Sequence, residues 1–211
     1  LIDEAQRRIT ELSENVLSLQ AILADKRSRG AFGEVQLEGL ISNLIPASYY
    51  ALQHVLSNGK RCDCILFLPP PTGHIVIDAK FPLEAYQQLI DPQHSELSKK
   101  EALKAFKQHI KKHLSDIATK YIIPNETADS ALMFLPAEAV FAEIHAYHPD
   151  LIAEAQRLRV WIASPTTLMA ILNTARSVIR DLATRQQVHI IQQQLRALAK
   201  DFNRFEQRMS H

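Results

Sequence analysis

Lys60-Arg61-Cys62-Asp63-Cys64-Ile65-Leu66-Phe67-Leu68, then Pro69-Pro70-Pro71-Thr72-Gly73, then His74-Ile75-Val76-Ile77-Asp78-Ala79-Lys80-Phe81 is the stretch on which the fold turns. Two runs rich in Ile, Val, Phe and Cys flank five residues that disfavour regular structure, which predicts an antiparallel hairpin. Side chains of a strand alternate between faces, so Asp78 and Lys80 leave one face while Ile77 and Ala79 leave the other. By the same rule Cys62 and Cys64 should share the face opposite Asp63. Antiparallel pairing then brings Asp63 near Asp78 and Lys80, with the register left open.

Working outward, Phe32, Leu37, Leu40, Ile41 and Leu44 predict a helix ending near Pro46, separated by Gly30 from an earlier one. That earlier segment carries Ile2, Ala5, Ile9, Leu12, Val16, Leu19 and Leu23, an alternation of three and four that defines a coiled-coil seam. Downstream, Leu83 to Ile90 and Glu96 to Thr119 read as helices, the second with Leu103, Phe106, Ile110, Leu114 and Ile117 on its apolar face. Ser130 to Leu135 and Arg159 to Ala163 read as strands joined by helical residues Ala137 to Arg157. Ser164 is placed to cap a long helix that starts at Pro165 and carries a second seam at Ile191, Leu195, Leu198, Phe202, Phe205 and Met209. The sum is an α/β sheet flanked by helices, with long N- and C-terminal coiled-coil helices. The expected division is 1–29 for the N-terminal coiled coil, 30–180 for the α/β domain and 181–211 for the C-terminal part of the long helix.

The 211 residues are 46% hydrophobic and 22% charged, enough apolar material for a real core and against general disorder. With 24 Lys and Arg against 23 Asp and Glu, bulk charge neither demands nor excludes a nucleic-acid partner, so any basic footprint is local. Cys62 and Cys64 are poorly placed to bridge each other in a strand, which favours a reducing compartment. No apolar run of about 18 residues and no signal pattern is present, so no segment of this chain is expected to span a membrane. The first residue is Leu1 rather than Met, which leaves room for an upstream anchor in a longer protein.

The acids of the hairpin carry the chemistry. Glu34 opens the helix before it and Glu38 lies one turn on, so three or four carboxylates converge. Either glutamate suits the helix position. Clustered carboxylate oxygens suit a hard divalent cation, Mg2+ or Mn2+, that keeps its waters and binds phosphate. A neighbouring lysine would orient an attacking water and stabilise charge on the phosphoryl group. Such an assembly hydrolyses phosphodiesters.

Five ordered blocks carry a resemblance: Gly33-Glu34-Val35-Gln36-Leu37-Glu38; Arg61-Cys62-Asp63; Ile75 to Leu83; Met133-Phe134-Leu135-Pro136-Ala137-Glu138; and Ala163-Ser164-Pro165-Thr166-Thr167-Leu168. Over roughly residues 28 to 200 they resemble the RmuC family of DNA recombination proteins. The resemblance implies a PD-(D/E)xK nuclease domain with a restriction-endonuclease-like mixed sheet. Glu34 would be the helix acid, Asp63 the first strand acid, and Asp78 with Lys80 the paired motif. It further implies a part in limiting DNA rearrangement and inversion, and a full-length bacterial protein acting on the cytoplasmic side from a membrane anchor. The chain departs from the family pattern at Ala31-Phe32, where a Trp is usual before Gly-Glu, and at Cys62, where a Pro commonly precedes the Asp.

Each sharp reading has a bland counterpart. An Asp-x-Lys pair alone is common on surface strands, so a domain that binds DNA or scaffolds an assembly without turnover is the alternative to a nuclease. Lys100, Lys104, Lys107 and Lys111 form a helical stripe that suits a phosphate track or a solvated face, and Lys120 and Tyr121 end that helix near the acids, where they could meet DNA or merely close the helix. His109 and His113 have the spacing of a metal pair but lack a third ligand. His145 and His148 precede Pro149, where capping or exposure is the ordinary role. Cys62 and Cys64 read as buried small hydrophobes and Trp161 as core. The two seams permit a homo-oligomer or an internal pairing of the termini.

Overall fold

The computed structural model describes residues 26–90, 95–182 and 184. The seams from Ile2 to Leu23 and from Ile191 to Met209, and the coiled coils expected there, lie outside the described residues. The elements are α1 (Lys26–Leu44), a 3-10 turn (Ala47–Tyr49), β1 (Tyr50–Val55), β2 (Arg61–Leu66), β3 (Ile75–Ala79), α2 (Leu83–Ile90), α3 (Glu96–Tyr121), β4 (Ala131–Phe134), α4 (Glu138–Tyr147), α5 (Pro149–Arg157) and β5 (Val160–Ala163). A last helix, α6, follows over 165–182.

The five strands form one mixed sheet in chain order, with β1, β2 and β3 antiparallel and β3, β4 and β5 parallel. The hairpin pairs Cys64 with Ile77, Ile65 with Val76 and Leu66 with Ile75. Two apolar clusters cover the sheet. On one face α2, α3, α4 and α5 pack through Ala85, Phe106, Ile110, Leu114, Ile117, Val140, Ile144, Leu151 and Ala155. On the other, α1 contributes Leu37 and Ile41, with Ile45 just past its end, and α6 contributes Leu168, Leu172, Ala175 and Ile179. This is a sheet between two helical layers.

The helices follow from their punctuation. Ser95 caps α3, its hydroxyl accepting from the Ser98 amide at 3.2 Å. From there Ala102, Phe106, Ile110, Leu114, Ile117 and Tyr121 form one buried stripe at helical spacing. Ser164 caps α6 as expected, accepting from the Thr167 amide at 3.3 Å.

Several expectations are corrected. Gly30 does not break the first helix: α1 runs through it, and a side chain there would meet nothing within 4 Å, so its only cost is intrinsic propensity. A fifth strand, β1, lies before the hairpin and pairs with β2 across the turn at Ser57-Asn58-Gly59, where Gly59 takes φ +74°. Residues 137–157 form two helices rather than one, divided at His148 because Pro149 restricts the residue before it. His148 is buried, not exposed; its Nε2 lies 3.1 Å from Glu143 Oε1 and its ring packs on Phe106. Trp161 is 59% exposed instead of core, on β5, one of the two edge strands. Cys62 and Cys64 are both buried, but in different cores: Cys62 joins the α3 face and Cys64 the α1 face. The alternation of β2 slips between them, at Asp63.

Candidate functional site

The slip at Asp63 is matched on β1. Register pairs run from Tyr50 and Leu66 to Leu52 and Cys64, then resume at His54 and Cys62, omitting Gln53 and Asp63. Gln53 takes φ +47°, the left-handed region that a non-glycine residue rarely enters inside a strand. Freed from the ladder, Asp63 turns toward β3, and its Oδ2 accepts the Ala79 amide at 2.7 Å.

Asp78 and Lys80 project together from the end of β3, as the period of two dictates. The Lys80 amide is held by the Phe134 carbonyl at 2.8 Å, which fixes the backbone beyond the last strand residue. Lys80 Nζ donates to Asp78 Oδ2 in an ion pair and lies 3.3 Å from the Ala79 carbonyl. Asp78 is 3% exposed and is satisfied on its other oxygen too, by the Tyr121 hydroxyl at 2.8 Å. The same hydroxyl lies 3.0 Å from the Arg61 carbonyl, so the end of α3 is pinned to both β2 and β3. A buried carboxylate without such partners would be costly.

Glu34 reaches the cluster from α1. Gly33 beside it is buried, and a Cβ there would lie 3.4 Å from Pro136 Cγ and 3.6 Å from Ala79 Cβ. The glycine lets α1 approach the sheet closely. Gln53 Nε2 then donates to Glu34 Oε2 at 3.1 Å and lies 3.4 Å from Asp63 Oδ1, linking the helix acid to the strand acid. Glu34 and Glu38, one turn on, are both exposed, and Glu34 is the one bonded to Gln53.

The acids act on each other. Asp63 is pushed up to about 6 by burial and by the charge of Asp78, with Glu34 adding to it; the Ala79 amide and Lys80 pull the other way. Burial pushes the Tyr121 hydroxyl up, reinforced by Asp78. His113, one face of α3 away, is lowered to about 4 by burial and by Lys80. Burial also raises Cys62 to about 11 and holds Cys64 up, so neither is a reactive thiolate.

Three of these participants carried little sequence signal as site residues. Gln53 had none, although the Asn58-Gly59 turn announced a hairpin that would have put it opposite Asp63. Tyr121 is legible as ending α3 near the acids and His113 as half of a metal-spaced pair, but their places beside Asp78 and Lys80 depend on the docking of α3. The lysines behave differently from a free track: Lys107 bonds Asp150 at 2.8 Å, Lys111 lies 3.5 Å from the same carboxylate, and Lys120 lies 3.7 Å from Asp116. Lys100 and Lys104 are exposed.

Whether these residues suit a divalent cation is a question of donors and charge. Among the described residues no three His, Cys, Asp or Glu side chains converge as a ready-made cage. The Gln53 amide stands between Glu34 and Asp63, and Lys80 occupies one oxygen of Asp78. The donors are nonetheless hard carboxylate oxygens, and burial, with the charges of Asp78 and Glu34 beside it, holds Asp63 above its ordinary range. Donor type and charge fit a hard cation.

A model of the RmuC family matches residues 1–211. A DNA recombination protein RmuC homolog of Xylella fastidiosa is 31% identical over 97% of this chain and 47% of its own length. The homolog of Pasteurella multocida is 29% identical over 82% of this chain and 35% of its own, and the DNA recombination protein RmuC of Escherichia coli 29% over 85% and 39%. The chain thus spans about half the length, or less, of these curated relatives. No solved structure matches it.

Proposed function

The chain belongs to the RmuC family, and we propose that its α/β region is a restriction-endonuclease-like domain that hydrolyses DNA phosphodiester bonds with the help of Mg2+ or Mn2+. The observation that carries this reading is the meeting, at one end of β3, of Asp78 and Lys80 with Asp63 from β2, and of Glu34 through Gln53. Relatives named as DNA recombination proteins supply the substrate class.

Glu34, Asp63 and Asp78 would hold the cation, which when bound polarises a phosphoryl oxygen and offsets the charge of the leaving group. The other roles fall to the chain itself. Tyr121 fixes one oxygen of Asp78, leaving the carboxylate a single orientation. The Ala79 amide does the same for Asp63. Lys80, anchored through its own backbone to β4, presents Nζ on the face of Asp78, where it orients a water and stabilises charge developing on phosphate. Lys100, Lys104, Lys107, Lys111 and Lys120 along α3 would lead DNA backbone to the site. The terminal seams would join copies of the chain, and the longer protein would work from the cytoplasmic side.

One observation favours a second reading, a DNA-binding or scaffolding module without turnover: both oxygens of Asp78 are already engaged, one by Lys80. The two separate in a single assay. Single-stranded, duplex and branched DNA are incubated with the chain and each metal, beside Asp78→Ala and Lys80→Ala. The nuclease reading expects metal-dependent cleavage that falls at least ~100-fold in both variants. Equal residual cleavage in parent and variants, or salt-sensitive binding without product, rejects it.

A further inference from the structure

Among the described residues three non-glycine residues take positive φ: Gln53, Asn125 and Arg159. Asn125 and Arg159 lie in turns, where the left-handed region is ordinary. Gln53 lies in the middle of a strand. The pairing of β1 with β2 keeps one register on both sides of it, so the conformation neither inserts a residue nor re-registers the hairpin. It interrupts the ladder and disturbs the alternation, both of which a regular strand residue would avoid.

What the conformation provides is the aim of one side chain. The Gln53 amide nitrogen stands 3.1 Å from Glu34 Oε2 and 3.4 Å from Asp63 Oδ1, between acids that come from different elements. Glycine would adopt this backbone with less strain but would bring no amide. Strain concentrated at a residue that touches two site carboxylates points to a functional demand rather than to folding.

We propose that Gln53 is a positioning residue of the acidic site, its amide bonding one oxygen of Glu34 and one of Asp63 so that the two carboxylates are held facing one another for a divalent cation. The inference rests on the cation-dependent reading above and deepens it. A carboxylate has about four lone-pair sites on its two oxygens, so the amide can hold each acid while the ion binds it. The amide keeps the two acids facing one another before and after the ion arrives, which lowers the reorganisation that binding requires.

The test uses Mn2+ alone, with uptake followed by its electron paramagnetic resonance signal, on the parent chain, Gln53→Ala, Gln53→Gly and Asp63→Ala. Thermal midpoints are measured in chelator. The expected result is uptake by the parent, loss in Asp63→Ala, and roughly tenfold weaker affinity in both Gln53 variants. Gln53→Gly should melt above Gln53→Ala, because only glycine accepts the positive φ freely. Affinity in both Gln53 variants within twofold of the parent, with uptake still lost in Asp63→Ala, overturns the assignment of Gln53 and leaves the cation site standing. If both variants also melt well below the parent, the role is structural and the inference is overturned. No uptake by the parent overturns the inference together with the cation reading. Uptake without DNA cleavage rejects the nuclease alone.

Discussion

β3 is shared by two halves of the sheet that are built by different rules. On the side of β4 and β5 the strands are parallel, and Ala131, Leu132, Met133 and Phe134 are all buried, covered on both faces by helices. On the side of β1 and β2 the strands are antiparallel, β1 is partly open to solvent, and the ladder breaks where Gln53 faces Asp63. The parallel half is regular and apolar; the antiparallel half gives up pairing and alternation to turn charged groups toward the end of β3. β2 still places Cys62, Cys64, Ile65 and Leu66 in the two cores, so the open, irregular part is β1 with the break at Gln53 and Asp63, and Asp78 and Lys80 stand beside it.

The largest effect that would break this division is on stability. Phe134 is fully buried in the α1 and α6 core, and Phe134→Ala should cost about 3–5 kcal/mol through lost burial and the cavity left behind. Val55, on the antiparallel side, is 52% exposed, and Val55→Ala should cost below about 1 kcal/mol. Urea unfolding of the two variants checks the contrast. Comparable losses would mean that the open edge strand β1 carries the fold as heavily as the buried strand β4.

The same division governs what was legible beforehand. The parallel half could be read because a strand buried on both faces is a short apolar run, as at Ala131 to Phe134. The pairing of Asp78 with Lys80 followed from the period of two alone. Where the chain leaves regular geometry the pattern is silent. Cys62 and Cys64, two apart, should share a face, and they do not because the strand slips at the residue between them. Gln53 has no periodic signature, since a left-handed residue in a strand is a local exception. The choice of Glu34 over Glu38 required the docking angle of α1, which Gly33 sets by contact rather than by propensity. Tyr121 and His113 likewise depended on how α3 lies on the sheet.

A smaller effect sharpens the electrostatic side of the contrast. Asp63 titrates near 6 in the folded chain, above its ordinary range, so between roughly pH 4 and 6 the folded state holds a proton that the unfolded state has released. Its contribution therefore lowers stability as pH rises through that window. His113 titrates near 4, below its ordinary range, so the unfolded state takes up the proton first as pH falls from about 6.5, and stability is lost toward acid. The two slopes oppose. Asp63→Asn removes the first and leaves the second, so its unfolding free energy should rise by about 1–3 kcal/mol from pH 4.5 to 6.5 relative to the change in the parent. Urea unfolding at the two pH values measures this, and parallel profiles for parent and variant would refute it.

The smallest effect concerns the helical layer over the parallel half, where Lys107 and Lys111 share Asp150 of α5. All three side chains are 30–48% exposed, so the pairings contribute at most about 1 kcal/mol, and Asp150→Asn should leave the fold nearly unchanged. Its consequence for DNA is sharper. If the stripe from Lys100 to Lys111 follows the DNA backbone, Asp150 competes with phosphate for two of its four lysines. Releasing them should tighten binding, and each lysine that then meets a phosphate should steepen the dependence of log affinity on log salt by about 0.9. Binding isotherms for duplex DNA across a salt series, parent against variant, read that slope directly. A uniform gain in affinity with an unchanged slope would reflect only the lost negative charge. The stripe would then be a solvated face, and DNA contact would be confined to the antiparallel side with Lys80.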